Sequence, residues 1–278
     1  MRLTAIVFVL LLSTSSSIAE TFKGRTVLVT DGRRDKAQAA PVVVVMHGFL
    51  GSSAQIRRTT GFDTLAKKRG FVVVYPSGLR RRWNDGRNSN NATDDVAYLS
   101  ALIATLVADG RADPRRVFWA GHSNGGGMAM RMACDRPDLS AGIAVIATKV
   151  PAAFQCATGA PVPAIFFHGT RDPIAPHAGR LASSRLGETL SAKNSLKLWQ
   201  GRNKCSGATR ARTINRVDDG TEAKIINYTR CRAALTHVEI QGHGHGWPSR
   251  SGRATRLQGP ATKELSATQL SWRFFSQF

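Results

Sequence analysis

The first half of the chain alternates continuous apolar runs with a segment of mixed polarity. Residues 42–46 and 71–75 are rich in β-branched and aromatic side chains, which is typical of strands buried on both faces of a parallel sheet. The segment between them, residues 54–69, has helical character. This pattern predicts a strand, a helix and a second strand parallel to the first.

The same alternation continues to the end of the chain. It predicts helices over residues 95–107, 124–134 and 263–275, and strands over residues 117–120, 143–147, 164–167 and 237–240. We expect a long loop over residues 76–93 and an irregular region with a small hairpin over residues 201–233. Alternating strands and helices imply a mostly parallel sheet with helices on both faces. Since no repeat, linker or change of composition marks a second domain, we expect one doubly wound α/β domain over residues 20–278.

The N-terminus has the pattern of an export signal. Arg2 is followed by an apolar run, residues 5–12, and then by small residues before a cleavage point at Glu20. We interpret residues 1–19 as a secretory signal peptide. The apolar run is far shorter than the ~20 residues that cross a bilayer, so we expect a secreted or periplasmic protein without a membrane anchor.

All four cysteines follow this segment. In an oxidising compartment an even set of cysteines suggests disulfides, and sequence proximity favours Cys134 with Cys156 and Cys205 with Cys231. Free buried thiols are the alternative. The spacing matches no zinc-ligand pattern, and we predict neither a metal site nor a cofactor.

The chain is strongly basic, with 39 Lys and Arg against 18 Asp and Glu and a formal net charge of +21. The basic clusters are spread along the chain, and no helix-turn-helix, zinc finger or RNA-binding signature accompanies them. We therefore expect no specific nucleic-acid partner. The excess charge indicates a solvated basic surface, which would also attract acidic cell-wall polymers or anionic esters.

The sharpest local motif is Gly-His-Ser-Asn-Gly at residues 121–125. It follows a predicted strand and precedes a predicted helix, which is the setting of a nucleophile elbow. Glycine is needed at both ends because side chains there would collide with neighbouring backbone, while the strained turn presents the hydroxyl of Ser123. We predict that Ser123 is a nucleophile; a Gly-rich tight turn without a role is the alternative.

A serine nucleophile of this kind needs donors for the oxyanion that forms on its substrate. The N–H of Asn124 is one candidate, because it lies at the start of the predicted helix and the positive end of a helix favours negative charge. The turn after the first strand, residues 47–53, is expected to supply the second donor. We choose the N–H of Phe49.

The serine also requires a base, and the base requires an acid that fixes its tautomer. In α/β-hydrolases the chain order is serine, acid and histidine. Asp172 follows the strand predicted over residues 164–167 and is the candidate acid. An Asp-Pro turn without a catalytic role is the alternative, and weaker rivals lie in the irregular region: Asp218, Asp219 and Glu222.

His237, His243 and His245 all follow Asp172 in the chain. His237 falls within a predicted strand and is expected to be a sheet residue. The next loop, residues 242–248, carries both His243 and His245, and spacing alone does not separate them. Either of these two is a candidate base.

Two further motifs make the chain resemble a known family. Residues 168–173 read His-Gly-Thr-Arg-Asp-Pro and residues 244–248 read Gly-His-Gly-Trp-Pro. Both match the segments that carry the acid and the base in secreted serine esterases grouped with polyhydroxybutyrate depolymerases and feruloyl esterases. The resemblance extends over residues 40–275, implies an α/β-hydrolase fold, and favours His245 over His243.

The resemblance also implies a carboxylic ester hydrolase that acts through an acyl-enzyme on feruloyl or acetyl esters, or on hydroxyalkanoate esters. Trp83 and Trp247 are candidate apolar walls for such a substrate, and three consecutive arginines, residues 80–82, are expected beside the mouth of the site. A rival hypothesis is a noncatalytic relative that binds polyanions or glycans through its basic surface.

Overall fold

The described strands form one continuous sheet. The computed structural model describes residues 18–87, 92–154, 156, 159–180 and 187–278. In chain order its strands are β1 (Ile18–Phe22), β2 (Arg25–Asp31), β3 (Ala40–Met46), β4 (Val72–Pro76), β5 (Ala112–His122), β6 (Gly142–Ile146), β7 (Ala164–Gly169), β8 (Arg210–Ile214), β9 (Glu222–Asn227) and β10 (Leu235–Gln241). Their order across the sheet is β1-β2-β4-β3-β5-β6-β7-β10-β9-β8.

The centre of the sheet is parallel and its edges are antiparallel. Parallel pairing runs from β4 through β3, β5, β6 and β7 to β10. The strands outside this run pair antiparallel at both edges. The apolar runs predict a mostly parallel sheet, and this prediction is confirmed.

Helices cover both faces of the sheet. They are α1 (Ser53–Thr60), α2 (Phe62–Arg69), α3 (Asp95–Ala108), α4 (Asn124–Asp135), α5 (Ala192–Arg202) and α6 (Ala267–Phe275). Successive side chains of a strand point to opposite faces, so Val42 and Val44 of β3 join the core beneath α3, α4 and α5. Val43 and Val45 join the core beneath α1, α2 and α6. Because both faces are covered, β3 is built from fully buried valines.

The region predicted as one helix over residues 54–69 is two helices. Gly61 separates α1 from α2 with a φ of 65°, in the left-handed region that favours glycine. Its N–H donates to the Arg57 carbonyl oxygen at 3.3 Å and so caps the end of α1. A helical pattern that continues through a glycine therefore conceals a break.

The closing helix begins at Ala267, later than predicted. Ser266 caps it with its side-chain hydroxyl. Upstream, the Glu264 carboxylate accepts backbone N–H bonds at 2.8 Å from Arg216 and at 2.7 Å from Val217. These bonds hold the preceding segment in a loop, which shortens the helix.

The irregular region after α5 contains the expected hairpin. β8 and β9 pair antiparallel, and β9 joins β10, so the hairpin extends the sheet at one edge. A disulfide between Cys205 and Cys231 encloses the hairpin, and a second disulfide joins Cys134 to Cys156. The apolar pattern does not predict α5, β1 or β2.

The first described residues form β1, which pairs antiparallel with β2. The cleavage point expected before Glu20 falls within β1. Residues 1–17 of the predicted signal peptide lie outside the described residues. In the described part of the chain, no helix has the length and apolar character needed to span a bilayer.

We expect Phe275→Ala to lower the free energy of unfolding by about 3–5 kcal/mol. Phe275 of α6 is fully buried and stacks on Phe118 of β5 with ring centroids 4.6 Å apart. Urea denaturation measures the loss. The control is Phe278→Ala, whose side chain is 41% exposed and whose loss should be about 1 kcal/mol or less. Equal losses in the two variants would contradict this description of the core.

Candidate active site

Ser123 lies on a strained turn between the end of β5 and the start of α4. Its φ is 53° and its ψ is −117°, a conformation that residues other than glycine rarely adopt. The Ser123 N–H donates to the Ile146 carbonyl oxygen at 2.7 Å, and the Ser123 carbonyl accepts the Gly127 N–H at 3.0 Å. The backbone of the turn is thus fixed on both sides, and Ser123 lines a cavity.

Glycines at both ends of the turn allow it to pack. A Cβ at Gly121 would overlap the backbone of Gly125, and a Cβ at Gly125 would overlap the backbone of Met46 and His47. Backbone atoms of strands do not move aside as flexible side chains do. The start of α4 therefore approaches the ends of β3 and β5 only because these positions have no side chain.

Asp172 and His245 form a buried hydrogen-bonded pair. Asp172 follows β7, His245 follows β10, and His245 Nδ1 lies 2.8 Å from Asp172 Oδ2. The other carboxylate oxygen accepts the N–H groups of Ile174 at 2.9 Å and Ala175 at 2.7 Å. Burial raises the pKa of Asp172, but the hydrogen bond from His245 and the backbone N–H of Ala175 outweigh it, and the pKa is lowered. Asp172 is therefore an ionised acceptor that orients His245.

His122 supports the loop that carries His245. Its Nε2 lies 2.6 Å from the His245 carbonyl oxygen, and the two rings are 4.9 Å apart. Burial, followed by the nearby His245, lowers the pKa of His122 to about 4. His122 is thus neutral near pH 7 and donates its Nε2–H to the loop. The sequence motif marks this position only as the variable residue before the serine, so its role was not predicted.

His243 is fixed by the protein through both ring nitrogens. Nδ1 accepts the Thr262 N–H at 3.0 Å, and Nε2 lies 3.0 Å from the Gly246 carbonyl oxygen. Neither nitrogen is left for a substrate. The geometry therefore favours His245, as the resemblance does.

His237 lies in β10, away from the cavity wall. Its Nε2 is 3.2 Å from His168 Nδ1, and His168 Nε2 is 2.8 Å from the Thr148 carbonyl oxygen. Burial lowers the pKa of His237 to about 3. These histidines form a neutral buried chain within the sheet. Among the residues described, no group of three or more His, Cys, Asp or Glu is arranged to hold a metal ion.

The rival carboxylates do not reach the cavity. Those of the irregular region, Asp218, Asp219 and Glu222, are absent from its described wall. Asp219 instead accepts the Lys263 N–H at 2.6 Å. This leaves Asp172 as the carboxylate paired with a cavity histidine.

The predicted oxyanion donors, Phe49 and Asn124, both line the cavity together with Ser123. Asn124 is the first residue of α4, and Phe49 follows the end of β3. Neither N–H donates to an acceptor within the described ranges. A Cβ at Gly48 would lie 3.1 Å from the His122 ring and 3.4 Å from the Ser123 side chain, so the β3 loop passes close to the elbow.

The side chain of Asn124 holds the described part of the long loop in place at Trp83. Its Oδ1 accepts the Trp83 N–H at 2.7 Å, and its Nδ2 donates to the Trp83 carbonyl oxygen at 3.0 Å. The Trp83 indole N–H in turn donates to the His47 carbonyl oxygen at 3.1 Å. Asn124 thus has two roles: its backbone N–H faces the site, and its side chain fixes the loop that carries Trp83. The sequence motif did not indicate the second role.

The predicted tryptophan walls are both present but mostly buried. Trp83 is 2% exposed and Trp247 is 6% exposed. Trp247 is anchored by its indole N–H, which donates to Thr268 Oγ1 at 3.0 Å, and by edge contact with Phe62. Both tryptophans line the cavity, so each is a fixed wall rather than an exposed surface.

The cavity has a volume of about 600 Å³. Its wall contains Ser123 and His245. The wall is partly apolar, and three of its apolar side chains are at least half exposed: Phe49, Leu50 and Leu257. A pocket of this size accommodates a small or medium organic ligand.

The sheet order and the strained strand-turn-helix define an α/β-hydrolase fold. The model of the family described as esterase PHB depolymerase matches residues 34–180, just over half of the chain, and the chain belongs to this family. The matched region contains Ser123 and Asp172 and ends before His245.

Curated relatives match the chain at modest identity. Feruloyl esterase B of Piromyces equi is 29% identical over 225 residues, which is 75% of this chain and 40% of that protein. Poly(3-hydroxyalkanoate) depolymerase C of Paucimonas lemoignei is 29% identical over 131 residues, which is 42% of this chain and 31% of that protein. The chain thus spans less than half the length of these relatives.

Solved structures share the fold. The acetyl xylan esterase from Aspergillus awamori superposes with a TM-score of 0.61 at 16% identity, covering 84% of this chain and 94% of that chain. The Bacillus cereus carboxylesterase superposes with a TM-score of 0.55 at 15% identity, covering 92% and 96%. At these identities the likeness concerns the fold alone.

We expect Gly125→Ala to lower the free energy of unfolding by about 2–4 kcal/mol, because its methyl group would press on the backbone of β3. Urea denaturation tests this. The matched control is Gly201→Ala in α5, where an added Cβ meets nothing within 4 Å and should stabilise the helix by about 0.5–1 kcal/mol. Unchanged stability in the Gly125 variant would show that the turn does not need its close approach.

Proposed function

We propose that the protein is a secreted serine carboxylic ester hydrolase with Ser123 as nucleophile, His245 as base and Asp172 as the orienting acid. The observation that carries the proposal is the 2.8 Å pair between His245 and Asp172 in a cavity shared with Ser123. A histidine paired to a carboxylate beside a serine on a strained turn is the arrangement that activates a hydroxyl.

The first half of the reaction forms an acyl-enzyme. Since Nδ1–H of His245 donates to Asp172, Nε2 is left to accept the Ser123 proton as Oγ attacks the ester carbonyl carbon. The N–H groups of Phe49 and Asn124 donate to the oxyanion that develops. His245 then returns the proton to the leaving alcohol oxygen, the ester C–O bond breaks, and the acyl group stays on Ser123.

The second half of the reaction releases the acid. Water, deprotonated by His245, attacks the acyl carbonyl, the same two N–H groups hold the oxyanion, and the C–O bond to Ser123 breaks as its oxygen regains the proton. Asp172 stabilises the imidazolium at each step and keeps its own charge. The fixed turn and the fixed donors mean that little reorganisation accompanies either attack.

The substrates that we propose are feruloyl or acetyl esters, or hydroxyalkanoate esters. Two relatives support this range, since one is a feruloyl esterase and another a poly(3-hydroxyalkanoate) depolymerase. We further propose that residues 20–278 are one esterase domain released by removal of residues 1–19. Disulfides Cys134–Cys156 and Cys205–Cys231 suit an oxidising compartment.

A second candidate function is noncatalytic binding of polyanions, and one groove favours it. The groove has a volume of about 520 Å³ and lies near the start of β3, away from the cavity of Ser123. Its basic residues are Arg33, Arg34, Lys68, Arg69 and Arg116. This hypothesis expects binding of acidic cell-wall polymers that salt weakens and that a Ser123 variant retains.

We expect Ser123→Ala to lower kcat on 4-nitrophenyl acetate by about 10⁴-fold or more, because no other group takes the acyl chain. A fluorophosphonate probe should label the unaltered protein at Ser123 and leave the variant unlabelled. The control is Ser251→Ala, at an exposed serine. Full activity in the Ser123 variant, or labelling elsewhere, would refute the esterase mechanism.

Asp172→Asn tests whether Asp172 orients His245, because the substitution should lower kcat without lowering the stability of the fold. The amide oxygen still accepts the N–H groups of Ile174 and Ala175, but an amide N–H facing His245 favours the wrong tautomer. We expect kcat to fall by about 10³–10⁴-fold, with the urea midpoint changed little. Stopped-flow and steady-state assays on the same ester measure the loss, and a variant with near-normal kcat would remove Asp172 from the mechanism.

A further inference from the structure

The wall of the active-site cavity carries more positive than negative charge. Its charged side chains are three arginines and one aspartate: Arg82, Asp85, Arg87 and Arg180. They share the cavity with Ser123 and His245. An ester bound there lies close to these charges, whose effect is stronger in a partly enclosed cavity than in water.

One of these arginines is neutralised by the protein itself. Arg87 Nη2 lies 2.5 Å from Asp85 Oδ2 and donates at 3.3 Å to Thr148 Oγ1. The Asp85 carboxylate packs against α4, since a Cβ at Gly127 would overlap it. Asp85 and Arg87 thus form a largely buried ion pair, in which each charge offsets much of the other.

Arg180 has no such partner. All 18 acidic residues of the chain fall within the described ranges, and none forms an ion pair with Arg180. Its guanidinium donates from Nη1 to the Ile174 carbonyl oxygen at 3.3 Å, while its Nε is buried without a hydrogen-bond partner in the described structure. Burial, and then the charge of Arg87, lower the pKa of Arg180, and they outweigh the carboxylates of Asp172 and Asp85, which raise it without contacting the guanidinium.

A guanidinium held partly out of water without a counterion is costly, and an anion that completes it is bound favourably. Its planar set of donors matches a carboxylate, which accepts two parallel N–H bonds. Arg82, which also lines the cavity and forms no ion pair with a described carboxylate, adds to the positive field.

We propose that Arg180 is the centre of a carboxylate-binding subsite, and that the enzyme prefers esters carrying a second, ionised carboxyl group near the scissile bond. The inference rests on the proposed esterase function and names the substrate class of that site. The carboxylate belongs either to the acyl part or to the alcohol part of the ester, and two substrate pairs distinguish these sources.

The first pair is the 4-nitrophenyl ester of 5-carboxypentanoic acid and its terminal amide, which differ only in an acyl-side charge. The second pair is 3-acetoxybutanoate and its amide, which differ in an alcohol-side charge. In at least one of the two pairs, we expect kcat/KM for the carboxylate-bearing ester to exceed that for its amide by about tenfold or more at low salt. The pair that shows the preference identifies the side of the ester that carries the carboxylate. Added salt should reduce this ratio. Equal or lower kcat/KM for the carboxylate in both pairs overturns the subsite.

Arg180→Met should lower the carboxylate-to-amide ratio by about tenfold while the kcat/KM for the amide changes little, and Arg180→Lys should restore part of the ratio. The matched control is Arg171→Met, which removes the same charge from an exposed side chain outside the cavity wall. An equal fall of the ratio in the Arg171 variant would overturn the subsite in favour of long-range attraction. If the wild-type protein cleaves the carboxylate-bearing and the amide-bearing esters with equal kcat/KM, the subsite is overturned and the proposed esterase function stands. If it cleaves no ester, the proposed function is overturned as well.

Discussion

The close contact between the start of α4 and the ends of β3 and β5 fixes most of the candidate site. Because neither Gly121 nor Gly125 has a side chain, the helix begins directly against the strand backbone. Ser123 is thereby held at a φ of 53°, and the first N–H of α4 is brought next to the β3 loop. The strained conformation of Ser123 persists because the buried strands β3 and β5, in the middle of the sheet, hold the backbone on both sides of the turn.

The parallel pairing of β7 with β10 brings the acid and the base together. Asp172 and His245 are 73 residues apart in the chain, yet they follow the carboxyl ends of two neighbouring strands. The two loops are also joined by backbone, because the Arg171 N–H donates to the His243 carbonyl oxygen at 2.9 Å. The hydrogen bond between the acid and the base is therefore a consequence of strand order as much as of the two side chains.

The strands that are buried on both faces are predictable from the sequence. The valine runs of β3 and β4 are apolar on both faces, and a run of this kind has few other interpretations. β2 lies nearer the edge with a mixed burial pattern, and α5 has only scattered buried residues such as Leu196 and Trp199, so neither has a strong periodic signal. The break at Gly61 was hidden because the residues on both sides continue a helical pattern.

Within the site, the sequence identified motifs but not the contacts between them. His243 and His245 are two residues apart, and spacing does not separate them. The resemblance favours His245, and the three-dimensional partners of His243, Thr262 and Gly246, give the physical reason, because they occupy both of its ring nitrogens. The supporting roles of His122 and of the Asn124 side chain likewise depend on loops that are distant in sequence. Such roles have no local pattern from which they could have been inferred.

The chain has a net charge of +21, and the effect of each positive side chain on a ligand depends on how far that side chain is buried. An exposed arginine such as Arg171 is hydrated and screened by salt, and its contribution to binding one ligand is small. Arg180 is partly withdrawn from water and forms no ion pair with a described carboxylate, so the same unit of charge acts over a short distance on whatever enters the cavity. The distinction follows from desolvation rather than from charge count, because a guanidinium that has lost hydration without gaining a counterion interacts more strongly with the next anion it meets.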